Sequence, residues 1–224
     1  MPITTVLVIK NRPEKQTICC IESLAKQLSN HCKIIVVDYG STEENLIWER
    51  KLFDKFGVKL IEVKNNTQIF NKSRALNIGI RQAKTDFIML GDIDNVYLPN
   101  FIYQIEKVLD LKRIITCRRI NINQDGSRNP KHIGAYGGCL VLSKDFLYSI
   151  RGLDEMFTLW GGEDDDLIER AIKRGLELYS IPIEVTHCIH QWHPKADKSK
   201  EKWNRQYLKI KKTVIRNLKI WGEI

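Results

Sequence analysis

Apolar runs and amphipathic stretches alternate along most of the chain. Ile3–Ile9 and Ile34–Asp38 are β-branched runs without polar alternation, which is typical of parallel strands buried on both faces. Between them, residues 13–28 carry apolar side chains at helical spacing behind Pro13, and proline is favoured in the first turn of a helix. This succession of strand, helix and strand predicts a βαβ unit and therefore a parallel sheet.

The alternation continues to about residue 185 and predicts an α/β fold with a mostly parallel central sheet flanked by helices. We expect further strands at Val58–Val63, Phe87–Leu90, Ile114–Arg118 and Cys139–Leu142, an extended segment at Leu176–Val185, and helices at Asn71–Ile80, after Leu98-Pro99, at Ser143–Ile150 and after Leu167.

Residues 121–131 interrupt this pattern because they are polar and contain the turn signals Asp125-Gly126 and Asn129-Pro130. They predict a mobile loop, which would be a candidate lid over a ligand site.

The chain contains no linker or internal repeat, so we expect one domain over residues 1–200 and a basic amphipathic helical tail over residues 201–224. In the tail, apolar side chains from Trp203 to Trp221 keep helical spacing, with Lys and Arg between them. Such a helix either packs across the domain or lies on a membrane surface.

The charge balance favours an anionic partner, since 36 Lys and Arg against 27 Asp and Glu give a formal net charge of +9. Nucleic acid, an anionic membrane face and a nucleotide-bearing substrate all fit that sign. Six cysteines without a Cys-x-x-Cys pair, and no apparent signal peptide, indicate reduced thiols in a cytoplasmic protein. With no stretch of about 18 apolar residues, we expect any membrane contact to be peripheral, at the inner face.

Four consecutive carboxylates, Glu163–Asp166, follow the turn Trp160-Gly161-Gly162. Like charges this close repel one another and raise one another's pKa, so the arrangement is costly unless it is used. Acidic residues also complement the dipole at a helix N-terminus, which is the structural alternative. The helix that follows places the carboxylates at its mouth.

Two other clusters offer ligands for a divalent metal. Asp92-Ile93-Asp94 follows the predicted strand Phe87–Leu90, and His187, His190 and His193 lie within seven residues. Both carboxylates and imidazoles bind divalent ions. An Asp-x-Asp sequence also occurs in ordinary loops. The residues alone therefore allow either a metal site or a purely structural role.

The order of these features resembles the GT-A glycosyltransferases, and more narrowly the group that contains the β-1,4-galactosyltransferases, the polypeptide GalNAc-transferases and bacterial chondroitin-type polymerases. The resemblance runs from about Thr5 to about Lys200, and its most specific part is Tyr136-Gly137-Gly138 followed by Trp160-Gly-Gly-Glu-Asp-Asp-Asp166. It implies a GT-A fold, a UDP-sugar donor and Mn²⁺ or Mg²⁺.

The resemblance also implies where the donor and the metal would bind. Asp94 would be the more secure metal ligand, Asp92 would lie nearer the ribose or a metal-bound water, and His190 and His193 would be further ligands, since Cys188-Ile-His-Gln-Trp-His193 is similar to the Cys-x-Met-x-x-His of the galactosyltransferases. The residues implied in donor nucleotide binding are Arg12, Asp38, Phe70, Lys72, Arg74, Asp92 and Gly138.

On the acceptor side, the resemblance implies Asp164 and Glu163 as the catalytic carboxylates. Asp164 would take the proton from the acceptor hydroxyl, while Glu163 and Asp165 would hydrogen-bond acceptor hydroxyls. Trp160 would stack on the acceptor sugar, with Gly162 beside it, and Asp166 would only begin the helix. Separate base and metal sites imply inversion of configuration.

The expected function is therefore the metal-dependent transfer of a hexose or N-acetylhexosamine from a UDP-sugar to a glycan or glycolipid acceptor, in a bacterial-type enzyme of polysaccharide synthesis. Two alternatives belong to other classes: a basic nucleic-acid-binding protein without catalysis, and a nucleotide-sugar pyrophosphorylase. The Lys and Arg residues form no aromatic-interleaved surface outside the tail, so we expect no nucleic acid partner. Lys10-Asn-Arg-Pro13 stands where a pyrophosphorylase carries a glycine-rich loop.

Overall fold

The computed structural model describes residues 2–28, 32–64, 69–133, 138–194 and 196–223. For residues 129–133 it describes the backbone alone. Its strands are β1 (Ile3–Ile9), β2 (Cys32–Tyr39), β3 (Lys59–Val63), β4 (Phe87–Gly91), β5 (Asn95–Tyr97), β6 (Arg113–Cys117), β7 (Arg119–Ile122), β8 (Arg128–Ile133), β9 (Cys139–Ser143), β10 (Glu177–Ile181) and β11 (Cys188–His190). Its helices are α1 (Glu14–Ala25), α2 (Glu43–Lys55), α3 (Lys72–Gln82), α4 (Phe101–Glu106), α5 (Lys144–Ser149), α6 (Glu163–Lys173) and α7 (Glu201–Ile210).

A seven-stranded sheet in the order β10-β6-β9-β4-β1-β2-β3 forms the centre of the molecule. Its strands pair in parallel except β9, which is antiparallel to both β4 and β6. Every residue of β1 and of β4 is buried, as expected for strands covered on both faces. The predicted α/β fold with a mostly parallel sheet is therefore confirmed.

Helices cover the two faces of this sheet and form two apolar clusters. Side chains of α1, α2 and α4 pack on one face, and side chains of α3, α5 and α6 pack on the other. Helix α3 approaches the sheet closely, since a Cβ atom at Gly79 would lie only 2.3 Å from Cγ1 of Val6. Local caps hold two of these helices: the Asn71 side chain accepts from the Arg74 amide, and the Ser143 hydroxyl accepts from the Phe146 amide.

A second, four-stranded sheet in the order β5-β11-β7-β8 follows the C-terminal ends of β4 and β6. Two of its strands follow β4 and β6 after only a few residues, so it continues the carboxyl edge of the main sheet. This is the edge at which open α/β sheets bind ligands. The second sheet therefore adds polar side chains to that edge.

The predicted mobile loop at residues 121–131 is wrong. Strands β7 and β8 form an antiparallel hairpin there, closed by a turn in which the Asn123 amide donates to the Ser127 carbonyl over 2.9 Å. Gly126 takes a positive φ of 84° in this turn. The pattern Arg-Ile-Asn-Ile in β7 is that of a half-exposed strand, which a polar composition conceals.

The predicted helix from Trp203 to Trp221 is also wrong in its second half. Helix α7 ends at Ile210, and the following segment packs back on the domain, with Trp221 only 6% exposed. Trp221 lies in the apolar cluster of α3, α5 and α6. In the part of the chain that the structure describes, no helix has the length and apolar character needed to cross a bilayer.

Candidate active site

A cleft of ≈ 870 Å³ opens at the carboxyl edge of the sheet. It brings together residues from the ends of β1 and β4, the start of α3 and α6, strand β11 and the segment after it. The sequence-predicted residues that line it are Arg12, Phe70, Lys72, Asp92, Asp94, Trp160, Gly162, Glu163, Asp164, Asp165, His190 and His193.

One wall of the cleft carries a cluster of three side chains of types that can bind a metal, Asp94, His190 and His193. Antiparallel pairing of β5 with β11 sets His190 opposite Asn95, so that the histidine lies beside Asp94. The Nε2 atoms of His190 and His193 lie 3.5 Å and 3.3 Å from the Asp94 carboxylate. Their ligand atoms all fall within 4.8 Å of one another, as required for sharing one ion.

The residues of this cluster fit a divalent metal. Asp94 is only 4% exposed, and its Oδ1 atom has no hydrogen-bond partner among the described residues. A buried carboxylate oxygen without a partner is costly unless a ligand satisfies it. Burial lowers the pKa of His190, against the pull of Asp94, and so favours the neutral imidazole that binds metals.

Asp92 lies apart from this cluster and makes different contacts. Its Oδ1 atom is 2.9 Å from Nζ of Lys72, and its Oδ2 atom is 3.8 Å from NH1 of Arg119. Burial would raise the pKa of Asp92, but the Lys72 ammonium outweighs it and Arg119 adds to the effect, leaving a pKa of about 2. Asp92 is thus ionised, and its role as a metal ligand stays a prediction.

Lys72 joins the two walls of the cleft. Its Nζ atom lies 3.4 Å from Glu163 and 3.6 Å from Asp164 in addition to its contact with Asp92. Burial would lower the pKa of Lys72, yet the three carboxylates together raise it well above its usual value, so the ammonium stays charged. A fixed positive charge therefore stands at the centre of the site.

Asp164, at the start of α6, has the properties of a proton acceptor. Its pKa is raised to about 7, chiefly by burial, which the Lys72 ammonium opposes and the charges of Glu163, Asp92 and Asp165 reinforce. A base whose pKa lies near the working pH transfers protons most effectively. The carboxylate is poised to gain and lose a proton near neutrality.

The loop that carries Trp160 has an unusual backbone. Leu159, Gly161 and Gly162 take positive φ values of 60°, 100° and 99°. The loop is tied to the neighbouring segment by the Leu159 amide, which donates to the Phe70 carbonyl over 2.8 Å. Nζ of Lys198 lies 3.8 Å from the centre of the Trp160 ring. Left-handed backbone at a non-glycine residue is a feature of functional loops.

Three predicted donor residues lie outside the cleft lining among the described residues. Asp38 is 1% exposed, and its Oδ1 atom accepts from the amides of Gly40 and Ser41. The Arg74 guanidinium donates to the Glu223 carbonyl over 3.2 Å. Gly138 stands behind Asp92, where a Cβ atom would lie 2.8 Å from Oδ2 of that carboxylate. Their contacts with a nucleotide stay predictions, and Tyr136 and Gly137 lie outside the described residues.

Arg119, which no sequence motif singled out, lines the cleft beside Asp92. Its Nε atom is buried and has no hydrogen-bond partner among the residues that the structure describes. The available sequence signal was Arg118-Arg119 directly after a buried strand.

Asp166, expected only to begin the helix, is fully buried and pairs with Arg170 at 2.7 Å and Arg216 at 2.8 Å.

The profile of the family described as glycosyl transferase family 2 matches residues 4–172, three quarters of the chain. The chain belongs to glycosyl transferase family 2. The match runs from β1 through α6, and so includes the Asp-x-Asp turn and the acidic tetrad. It ends before the histidines and the tail.

Members of the β-1,4-galactosyltransferase group are among the curated relatives of this family 2 chain. Human β-1,4-galactosyltransferase 1 is 25% identical over 185 residues, covering 77% of the chain and 44% of the relative. Human β-1,4-galactosyltransferase 2 is 27% identical over 172 residues, covering 72% and 42%. The chain thus spans less than half the length of these relatives.

Solved glycosyltransferase structures share the fold. GalNAc-T7 with UDP, GalNAc and Mn²⁺ matches with a TM-score of 0.70 at 17% identity, over 86% of this chain and 44% of that one. Residues 1–349 of S. aureus TarS in complex with UDP-GlcNAc match with a TM-score of 0.68 at 15% identity, over 87% and 60%. The predicted GT-A fold is confirmed.

Proposed function

We propose that this family 2 protein is a metal-dependent enzyme that transfers a hexose or N-acetylhexosamine from a UDP-sugar to a hydroxyl of a glycan or glycolipid acceptor, with inversion. The observation that carries the proposal is the cleft itself, in which the Asp94–His190–His193 cluster and the carboxylate of Asp164 face one space with Lys72 between the walls. Relatives named as β-1,4-galactosyltransferases and structural neighbours solved with UDP, GalNAc and Mn²⁺ or with UDP-GlcNAc support it.

On the donor side, Asp94, His190 and His193 would hold Mn²⁺ or Mg²⁺. When bound, such an ion neutralises charge on the diphosphate as the sugar leaves. Lys72 and Arg119 supply fixed positive charge close to the same place, and the unpartnered Nε atom of Arg119 is a donor for a phosphate oxygen. Arg12 and Phe70 complete this end of the cleft.

On the acceptor side, Asp164 would accept the proton of the attacking hydroxyl. A sugar hydroxyl is a weak nucleophile at neutral pH, so a carboxylate within hydrogen-bond reach is needed as it attacks. The Trp160 ring would provide a flat apolar face for the acceptor sugar, and Glu163 and Asp165 would bind its hydroxyls. Because Asp164 is not a member of the Asp94–His190–His193 cluster, base and metal would act on different sides of the anomeric carbon, which supports inversion.

A panel of UDP-sugars tests this proposal. We expect one donor to release UDP in the presence of Mn²⁺, slowly to water and faster when a glycan acceptor is added, and the product anomer read by NMR to be inverted. GDP- and ADP-sugars serve as matched controls. If neither UDP nor any UDP-sugar binds in the presence of Mn²⁺, the proposal is wrong.

The tail supplies a candidate contact with an anionic membrane surface. Ile210, Leu218 and Ile220 are 78%, 76% and 64% exposed, and Lys209, Lys212 and Lys219 between and beside them are exposed as well. Apolar side chains interleaved with lysines suit a bilayer that carries negative charge. Peripheral binding there would bring the cleft close to a lipid-linked acceptor.

Vesicle sedimentation tests the membrane contact. We expect the protein to pellet with vesicles that contain phosphatidylglycerol and to stay in solution with phosphatidylcholine alone. The double change Ile210→Asn with Leu218→Asn should abolish binding. Leu111→Asn is the matched control, because Leu111 is 65% exposed elsewhere on the molecule. Equal loss in this control would contradict the proposed surface.

A further inference from the structure

Helix α7 presents one fully buried polar side chain, Asn204, to the loop that carries Trp160. Its Nδ2 atom donates to the Thr158 carbonyl over 3.0 Å and to the Trp160 carbonyl over 3.1 Å. Asn204 is 0% exposed. One amide group thus uses both of its protons on the two carbonyls that flank Leu159, which is the full donor capacity of an asparagine.

The loop needs such an external donor because it cannot satisfy its own backbone. Its positive φ values at Leu159, Gly161 and Gly162 prevent a helical or extended hydrogen-bond ladder. The Leu159 amide is satisfied by the Phe70 carbonyl on one side. Asn204 satisfies two carbonyls from the other side, so the loop is held between α7 and the segment that leads into α3.

Helix α7 is anchored by contacts that do not involve the loop. Leu208 is 8% exposed, and the Tyr207 hydroxyl lies 2.9 Å from a carboxylate oxygen of Asp154. Beyond the helix, Arg216 reaches the same carboxylate at 3.5 Å and Asp166 at 2.8 Å. Since Asp154, Asp166 and Arg216 are buried, the helix has a fixed position from which Asn204 can hold the loop.

We infer that Asn204 is a positioning residue for the acceptor: it fixes the backbone on either side of Trp160 and thereby sets the place of the indole ring against the Asp164 carboxylate. The inference rests on the proposed function and deepens it, because it makes the chain after residue 200 part of the acceptor site. This segment lies beyond residues 4–172, which the family profile matches. Asn204 touches neither substrate nor metal in this role.

Kinetics of Asn204→Ala test the inference. We expect the KM for the acceptor to rise about tenfold, since misplacement of a binding group by a fraction of an ångström weakens productive binding. The KM for the donor and the acceptor-independent release of UDP should stay within about twofold of the wild-type values. Asn204→Ser, whose hydroxyl can donate to one carbonyl only, should have a KM for the acceptor between those of the wild type and Asn204→Ala.

Leu52→Ala is the matched control, because Leu52 is buried on α2, in the apolar cluster on the face of the sheet opposite to α6. It should lower the unfolding temperature and leave the KM for the acceptor nearly unchanged. An equal rise of this KM in Leu52→Ala, or none in Asn204→Ala, overturns the inference.

Amide hydrogen exchange gives a readout that does not depend on the proposed activity. Asn204→Ala should speed exchange at residues 158–162, while exchange in β1 and β4 stays as in the wild type. Faster exchange in the loop without any UDP-sugar turnover by the wild type would refute the proposed function and leave the holding role of Asn204 intact. Unchanged exchange in the loop refutes that role.

Discussion

The two walls of the cleft are built in different ways. On the wall that holds the Asp94–His190–His193 cluster, the proposed metal wall, Asp94 directly precedes β5 and His190 ends the paired strand β11, so backbone register decides which side chains meet. On the wall that holds Trp160, the proposed acceptor wall, this residue stands on an irregular loop that depends on the Phe70 carbonyl and the Asn204 amide. The sheet therefore fixes the side-chain positions of one wall directly. In the other wall, hydrogen bonds to segments distant in the sequence fix them.

This contrast predicts that substitutions in the metal wall abolish both sugar transfer and hydrolysis of the UDP-sugar. Substitutions in the acceptor wall should impair transfer and leave hydrolysis, which needs no acceptor, intact.

Asp94→Ala should have the largest effect. Without its carboxylate the metal cluster is left with two imidazoles, so Mn²⁺-dependent transfer and hydrolysis should both fall by about 10³-fold, as expected when several kcal/mol of charge stabilisation are lost. Both rates are measured as UDP release, with and without acceptor. Asp197→Ala is a control in the cleft lining outside the cluster. If Asp94→Ala still hydrolysed the UDP-sugar at the wild-type rate, the proposed distinction between the metal wall and the acceptor wall would be wrong.

Asp164→Asn should lower transfer by about 10²-fold or more, the usual scale for loss of a general base, with UDP and Mn²⁺ affinities nearly intact. In the wild type, transfer should rise with pH through about 7, because the carboxylate must lose its proton to act as a base. The pH profile of Asp164→Asn should lack this step. An equal loss of UDP affinity, measured by calorimetry, would count against the role of Asp164.

His190→Ala and His193→Ala should each raise the Mn²⁺ concentration needed for half-maximal turnover by at least about tenfold, while turnover recovers in part at high Mn²⁺. His187→Ala is the control, since the His187 ring bonds the Ile183 carbonyl at 3.0 Å and lies outside the cluster. A shift in His187→Ala with none in His190→Ala would move the ligand assignment.

Glu49→Gln should change turnover least and stability measurably. Burial, reinforced by the nearby charge of Asp38, raises the pKa of Glu49 to about 8, so the folded protein holds Glu49 protonated at neutral pH. Because the folded state then holds a proton that the unfolded chain releases above its ordinary pKa, wild-type stability should fall as pH rises from about 5 to 8, by on the order of a few kcal/mol.

Glu49→Gln has no carboxyl to titrate at this position, so this variant should show a flatter pH dependence of stability, measured by urea unfolding at pH 6 and pH 8.5. Glu44→Gln, an exposed change on the same helix, is the control and should behave as the wild type. A wild-type stability that does not fall over this range would contradict the raised pKa of Glu49.

Most of the main sheet and most of the cleft residues could be predicted from the sequence. Strands such as Ile3–Ile9 are recognised by unbroken β-branched runs, which depend only on neighbours along the chain. Asp92, Asp94 and the acidic tetrad could be placed at the mouth of the site because each directly follows or begins such an element. Their assigned roles came from the resemblance and stay proposals.

The errors fell where long-range partners decide the structure. Strand β7 is half-exposed and half of its residues are polar, so it is identified by its pairing with β8 and not by burial. The tail leaves the helical conformation after Ile210 because its later residues, Arg216 and Trp221, find buried partners in the domain.

The sequence by itself determined most strands of the main sheet, the helices that cover it and most residues of the cleft, because hydrophobic periodicity and motif spacing are local properties. Only the tertiary structure decided which groups meet: His190 with Asp94 through strand register, Lys72 with the carboxylates of both walls, and Asn204 with the Trp160 loop. Each of these pairings joins residues far apart in the chain. Their contact depends on how the sheet, the helices and the tail pack together, and no local sequence pattern specifies that packing.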